Sequence, residues 1–220
     1  MTEALLELHE IHFAYEASRP VLCGASLRLL PGERVVLCGG NGAGKTTLLH
    51  VAVGLLVPQA GDVIAFGEPR RRERDFWSVR VRVGLLFQDP DDQLFCPTVA
   101  EDVAFGPLNL GRSPAQARAL AAETLERLGI VELADRSTGH LSGGEKRLAT
   151  LATVLAMQPE VLLLDEPTLG LDDAAQERLV AILDRLPQAI CLVSHDRLFR
   201  ARLATRGLEL VRGKVVESAP

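Results

Sequence analysis

The apolar residues do not keep one period along the chain. Leu6, Leu8, Ile11 and Phe13 mark an early strand, and a second strand is expected at residues 25–29. Val35-Val36-Leu37-Cys38 is a short continuous apolar run after Pro31-Gly32, the signature of a buried strand. A Gly-rich loop follows, then a helix from Lys45 to about residue 55. Further strands are expected at residues 83–87, 161–164 and 189–194. Strands that are apolar throughout and separated by helices belong to a parallel sheet covered on both faces, so the pattern predicts an α/β fold.

The middle of the chain reads differently. Thr98-Val99-Ala100-Glu101 and Ser113-Pro114-Ala115-Gln116 are capping-box patterns, the second with Pro at the first helical position. Helix is expected to about Leu128, with Gly129 as its stop. Between residues 91 and 157 the pattern shows helices and no strand. The expectation is one domain over residues 1–220, with a core of about 1–90 and 158–220 and a helical lobe of about 91–157 inserted into it. The run Arg70-Arg71-Arg72-Glu73-Arg74-Asp75 reads as a solvated surface segment.

Composition narrows the class. The chain has 220 residues, 47% of them hydrophobic and 24% charged, which excludes a disordered or low-complexity chain. A net charge of −5 disfavours a protein that wraps nucleic acid. Cys23, Cys38, Cys96 and Cys191 form no CxxC pair and read as small core residues in a reducing compartment. The start, Met1-Thr2-Glu3-Ala4-Leu5-Leu6-Glu7, is acidic and has no signal-peptide core, and no apolar run is long enough to span a membrane. A role at a membrane would need another chain for the membrane part.

Three motifs carry chemistry. Gly39-Gly40-Asn41-Gly42-Ala43-Gly44-Lys45-Thr46 fits G-x-x-x-x-G-K-[ST] between a predicted strand and a predicted helix. Glycines let successive N–H groups face one anion, and the helix N-terminus adds its dipole. Lys45 can reach the β/γ-phosphates and the Thr46 hydroxyl can ligate Mg²⁺. Val161-Leu162-Leu163-Leu164-Asp165-Glu166 is an apolar strand ending in two acids, which are costly there unless they meet a cation. Asp165 would hold Mg²⁺, and Glu166 could polarise an attacking water. Leu141-Ser142-Gly143-Gly144-Glu145 opens a helix with capping-box spacing, and two glycines in the first turn leave bare N–H groups for an anion. Three residues stay ambiguous when taken singly: His195 as a strand-end residue or a ligand, Gln88 as a surface amide, and Tyr15 as a half-buried aromatic.

The order of these elements resembles the ATP-binding-cassette ATPases over essentially the whole chain. The resemblance implies a P-loop NTPase core with a mainly parallel sheet, an N-terminal antiparallel β part and an inserted helical lobe. It implies that Tyr15 stacks on adenine and that Gly39, Gly40, Asn41, Gly42, Ala43, Gly44, Lys45, Thr46 and Thr47 hold the phosphates. Gln88 would sense Mg²⁺ and the γ-phosphate, Asp165 would support the metal, Glu166 would be the general base and His195 would bind the γ-phosphate. Ser142, Gly143 and Gly144 of one subunit would close over the phosphate loop of another, with Asp172 in a loop at that interface. ATP and Mg²⁺, a second ATPase subunit, integral-membrane transporter subunits and a place on the cytoplasmic face of the membrane follow from the same resemblance, and no nucleic acid is expected.

Phe87-Gln88-Asp89-Pro90-Asp91-Asp92-Gln93-Leu94-Phe95, with Thr98 to Pro107 after it, is similar to the ATPases of energy-coupling-factor importers of cobalt, nickel, biotin and other vitamins. The chain ends soon after Gly213-Lys214-Val215-Val216, read as the short form and as leaning to the cobalt/nickel or biotin type. Departures from the family pattern are Gly40 for Pro or Ser, Leu148 for an Arg after LSGG, and Asp173 for a frequent Pro; Leu148 bears on how the signature helix is anchored. Leu94-Phe95 is either a docking point for the membrane partner or plain core. An exporter or division-complex ATPase would share every catalytic residue. A soluble DNA-repair or ribosome-acting cassette fits less well, for want of a heptad insert or a second cassette.

Overall fold

The computed structural model of the protein describes residues 3–219; Met1, Thr2 and Pro220, the ends of the expected domain, lie outside the described residues. The chain forms two compact units, one made of the chain up to residue 85, residues 160–166 and the chain from residue 187, the other of residues 86–159 and 167–186. The second unit thus takes in residues 167–186, which the sequence pattern assigned to the core.

In chain order, the first unit begins with β1 (Leu6–Glu16), β2 (Arg19–Leu29), β3 (Arg34–Cys38), α1 (Lys45–Ala52), β4 (Ala60–Ala65), β5 (Glu68–Arg70), α2 (Trp77–Arg82) and β6 (Val83–Leu86). The second unit holds α3 (Val99–Asn109), α4 (Pro114–Leu128), α5 (Gly143–Leu155) and α6 (Asp173–Asp184). The first unit is completed by β7 (Val161–Asp165), β8 (Ala189–Val193), α7 (Arg197–Leu203), β9 (Arg206–Val211) and β10 (Lys214–Ser218).

Two sheets build the first unit. One has the order β2-β1-β4-β5 and is antiparallel; the other has the order β10-β9-β3-β8-β7-β6. Within the second sheet β9, β3, β8 and β7 run parallel, and β10 is antiparallel to β9. The fold is therefore α/β, mainly parallel, with an antiparallel part. β7 and β8 are buried at every position, which is what continuous apolar runs in a covered parallel sheet require. The core of this unit joins both sheets through Leu8, Leu29, Leu37, Leu48, Leu163 and Leu208. Crossing order places β3 between β8 and β9, so the loops leaving β3, β7 and β8 emerge at neighbouring strand ends.

The helical unit follows its local signals. Thr98, Ser113 and Ser142 each form a full capping box, and Gly129 ends α4 in the left-handed conformation with φ 63°. β4, β5, β9 and β10 were not anticipated. Residues 71–74 of the basic run are exposed, as expected of a solvated segment, while Arg70 is not. The Arg70 guanidinium turns inward to donate to the Ala65 and Asp75 carbonyls, and Asp75 caps the turn by accepting from the Arg71 and Arg72 N–H groups. All four cysteines are free; Cys191 alone is buried, and the other three are partly exposed rather than core.

Candidate functional site

β3 ends at Cys38 and hands the chain to the Gly-rich loop. Gly39, Gly42 and Gly44 have φ of 141°, 72° and 105°, values that glycine adopts without penalty. A Cβ on Gly39 would lie 2.7 Å from the Leu210 carbonyl oxygen and one on Gly44 2.6 Å from Val21 Cγ1, so these two glycines are demanded by packing. Cβ atoms on Gly40 and Gly42 would meet nothing within 4 Å, so the room above the loop is open there. Asn41 and Ala43 complete the loop, and the Ala43 N–H closes a turn onto the Gly40 carbonyl at 3.2 Å.

Lys45 opens α1 and is 8% exposed. Its ammonium folds back over the loop, donating to the carbonyls of Gly39 at 2.9 Å and Gly40 at 3.0 Å, and lies 3.3 Å from His195 Nε2. One residue on, the Thr46 hydroxyl donates to Asp165 Oδ2 at 2.5 Å. Thr47 is engaged elsewhere: its Oγ1 is 3.1 Å from the Tyr15 hydroxyl. The Tyr15 and Phe13 rings pack edge to face, and Tyr15 is 65% exposed.

β7 delivers the two acids in different directions. Asp165, 3% exposed, pairs opposite Val193 of β8 and turns to Thr46. Glu166 takes a left-handed φ of 44°, a strained value for a non-glycine residue, held by donation of its N–H to the Val193 carbonyl. Its Oε2 accepts the His195 N–H at 3.3 Å, and its Oε1 lies 3.3 Å from His195 Nε2 without forming a hydrogen bond. Burial holds the Glu166 carboxyl above the usual carboxylate range, against the opposing pull of the His195 N–H, His195 and Lys45. The same burial depresses His50 at the end of α1, with Asp165 opposing it.

An oxygen pair such as Thr46 and Asp165 suits a hard cation, Mg²⁺ above all. Among the described residues there is no group of three or more His, Cys, Asp or Glu side chains able to cage a metal. The donor set therefore fits an ion whose remaining ligands come from phosphate and water, the usual habit of Mg²⁺.

The other expected residues belong to the second unit. Gln88 is exposed, and its carbonyl accepts from Arg147. Ser142 caps α5, accepting from the Glu145 N–H at 3.4 Å, while Glu145 Oε2 accepts the Ser142 N–H at 2.7 Å. Gly143 has ordinary clearance, whereas a Cβ on Gly144 would come within 3.4 Å of Ala175 Cβ. Asp172 caps α6, accepting from the Ala175 N–H at 2.8 Å. The pair Leu94-Phe95 divides: Leu94 is core, while Phe95 is 64% exposed and stacks edge-on with Phe105.

The loop and the two acids lie within residues 22–169, which match the family described as ABC transporter. The chain belongs to the ABC transporter family. A candidate ABC transporter ATP-binding protein of Nitratidesulfovibrio vulgaris is 51% identical over 97% of this chain and 79% of its own length. The energy-coupling factor transporter ATP-binding protein EcfA of Methanothermobacter thermautotrophicus is 41% identical over 96% of this chain and 70% of its own length. The structure of CbiO1 from Clostridium perfringens, part of the ABC transporter complex CbiONQ, superimposes with a TM-score of 0.86 at 32% identity, covering 97% of this chain and 87% of that one. As an ABC ATPase the protein binds and hydrolyses ATP. Among its described residues no helix is long and apolar enough to cross a membrane.

Two features of this ABC ATPase escaped the sequence reading. Leu148, which stands where an Arg is common, is buried, and its neighbour Arg147 supplies the anchor instead. Arg147 is 2% exposed and donates to the Phe87 carbonyl at 2.9 Å and the Gln88 carbonyl at 2.8 Å. Gln93 adds a second tie, accepting from the Phe87 N–H and donating to the Thr150 carbonyl and Thr153 hydroxyl of α5. The Phe87–Phe95 stretch is therefore pinned to the signature helix. The only signal for Arg147 is a cation on the buried stripe of α5, legible once that helix's inward face is known.

Proposed function

We propose that this chain is the Mg²⁺-dependent ATPase subunit of an importer of the energy-coupling-factor kind, taking up cobalt, nickel or a vitamin such as biotin. It works as a homodimer bound to integral-membrane subunits at the cytoplasmic face of the membrane. The observation that carries the enzymatic part is the cluster of Lys45, Thr46, Asp165, Glu166 and His195 at adjoining strand ends. The likeness to EcfA and CbiO1, and the Phe87–Phe95 stretch, support the importer part.

In this reading the amides of Gly40 to Thr46 and the Lys45 ammonium hold the β- and γ-phosphates. Lys45 exchanges its bonds to the Gly39 and Gly40 carbonyls for bonds to phosphate oxygens, so binding draws on a cation already placed over the loop. Mg²⁺, when bound beside Thr46 and Asp165, neutralises charge on the phosphates and orients them. Glu166 accepts a proton from the attacking water, and its raised proton affinity makes it a better base than a solvated carboxylate. His195 Nε2, between Lys45 and Glu166, donates to the γ-phosphate. Tyr15 offers its exposed ring to adenine, Gln88 reports on the metal and γ-phosphate, and Ser142, Gly143 and Gly144 meet the nucleotide of the second subunit, with Asp172 beside them. Phe95 and Phe105, exposed on the helical unit, form the contact for the membrane subunit.

Purified protein assayed for phosphate release with ATP, with and without Mg²⁺, tests the enzymatic reading. Co-purification with membrane subunits followed by uptake of labelled cobalt, nickel or biotin tests the transport reading. Release without Mg²⁺ dependence refutes the metal assignment, and ATP-driven efflux without uptake replaces the importer by an exporter.

A further inference from the structure

The first turn of the signature helix carries a contradiction. Gly143 and Gly144 present N–H groups that have no acceptor among the described residues, as expected for a helix start awaiting an anion. Yet Glu145, in the same turn, is itself an anion. The Ser142 N–H and hydroxyl, and then Arg136, hold its carboxyl below the usual range, so it is charged at neutral pH. A bare carboxylate beside those amides would both compete for them and repel a triphosphate.

Arg136 resolves it. From the turn before the helix, its Nη1 meets Glu145 Oε1 at 2.5 Å and its Nη2 donates to the His140 carbonyl at 3.0 Å. The other carboxylate oxygen is occupied by the Ser142 N–H at 2.7 Å. Both oxygens are thus drawn back toward the cap, and the Gly143 and Gly144 amides stay open. The neighbouring cation, Lys146, is committed to Asp91 at 2.5 Å and does not share the task.

We infer that Arg136 is a positioning residue for the nucleotide held between two copies of this chain: it neutralises Glu145 and keeps that carboxylate off the amides that receive the γ-phosphate. This rests on the reading that Ser142 to Gly144 meet the partner's nucleotide. The two side chains are 43% and 31% exposed, so the pair contributes little to stability and its loss should leave a folded protein.

The test is ATP turnover as a function of protein and ATP concentration for wild type, Arg136→Met, Arg136→Lys, Glu145→Gln and the Arg136→Met/Glu145→Gln double variant. Each is measured at about 50 and about 300 mM salt, where screening lengths differ more than twofold. Arg136→Met should raise the protein concentration for half-maximal turnover about five- to tenfold at low salt, with less deficit at high salt and unchanged ATP binding to the monomer. Glu145→Gln and Arg136→Lys should behave as wild type, and the double variant should recover. A merely structural pair predicts the opposite: Glu145→Gln alone would be impaired, and the double variant would stay so. Either result overturns the inference, as does wild-type behaviour of Arg136→Met. Should Arg136→Met not fold, loss of turnover in Glu145→Gln or Arg136→Lys overturns it, and wild-type turnover in both supports it. Ser142→Arg with full turnover would instead bring down the underlying two-subunit reading, whatever Arg136 does.

Discussion

Replacing Glu166 by Gln removes one proton acceptor and almost nothing else. The amide keeps an oxygen for the His195 N–H, now 3.3 Å from Oε2, and turns its NH₂ toward His195 Nε2, which as neutral imidazole can accept it. Lys45, Thr46 and Asp165 keep their mutual contacts, so ATP affinity should hold or improve as a negative charge near the γ-phosphate disappears. Loss of a positioned general base costs about 10²–10⁴ in turnover, or about 2.7–5.4 kcal/mol of barrier at 1.36 kcal/mol per decade. pH adds a second, independent signature. Burial raises the Glu166 pKa in the folded protein, so the ionised form is disfavoured there relative to the unfolded chain. The stability tied to the protonated carboxyl is present below the ordinary Glu value and is lost as pH rises through the folded one. Glu166→Gln, always neutral, should therefore gain melting temperature relative to wild type on going from acid to neutral pH. In wild type, turnover at saturating Mg²⁺-ATP should fall on an acid limb lying above the usual carboxylate range, and the residual activity of the variant should lack that limb. The assays are phosphate release against pH, nucleotide binding, and size-exclusion chromatography with Mg²⁺-ATP, where the variant should accumulate as a dimer. Turnover within twofold of wild type would show that water is activated elsewhere, with His195 the next residue to replace.

Lys45→Ala removes a charge-assisted donor and should weaken ATP binding about 10- to 100-fold, read by nucleotide titration; unchanged affinity would refute the phosphate-loop assignment. Ser142→Arg should leave ATP binding to the monomer intact while abolishing ATP-driven dimerisation and hydrolysis, read separately by titration and by turnover. Gly44→Ala combines a left-handed φ of 105° with a contact of 2.6 Å to Val21 Cγ1, for about 2–5 kcal/mol of destabilisation and a Tm lower by about 5–15 °C. Gly40→Ala, with open space around it, should melt like wild type; equal melting of the two variants would refute the packing argument.

What could be read in advance was whatever has a local cause. The capping boxes at Thr98, Ser113 and Ser142 and the left-handed stop at Gly129 are set by side chains three residues apart or by one glycine, and each formed as written. β3, β7 and β8 announced themselves because strands covered on both faces need unbroken apolar runs. β4, β5 and β10 did not, because their burial is partial and their residues mixed, which a sequence cannot tell from loop. In the site, the residue types were legible but their contacts were not. The approach of Lys45 to His195 and that of Thr46 to Asp165 join segments remote in sequence and depend on strand order alone. Arg70 and Arg147 were invisible for a related reason: a cation that finds backbone carbonyls inside looks, in sequence, like one that faces water.

The strand order has a consequence for synthesis. β3 is made early, but its two neighbours in the sheet, β8 and β9, begin at Ala189 and Arg206. At about 5–20 residues per second, a ribosome needs roughly 8–30 s to add the roughly 150 residues in between. During that interval Val35, Val36 and Leu37 are an apolar strand with both edges unsatisfied, the kind of segment that recruits another nascent chain. A transcript broken between the α1 and the β8 codons yields a polypeptide that carries the whole phosphate loop and cannot close the sheet beneath it. Closure of this sheet thus waits on the synthesis of residues 189–211.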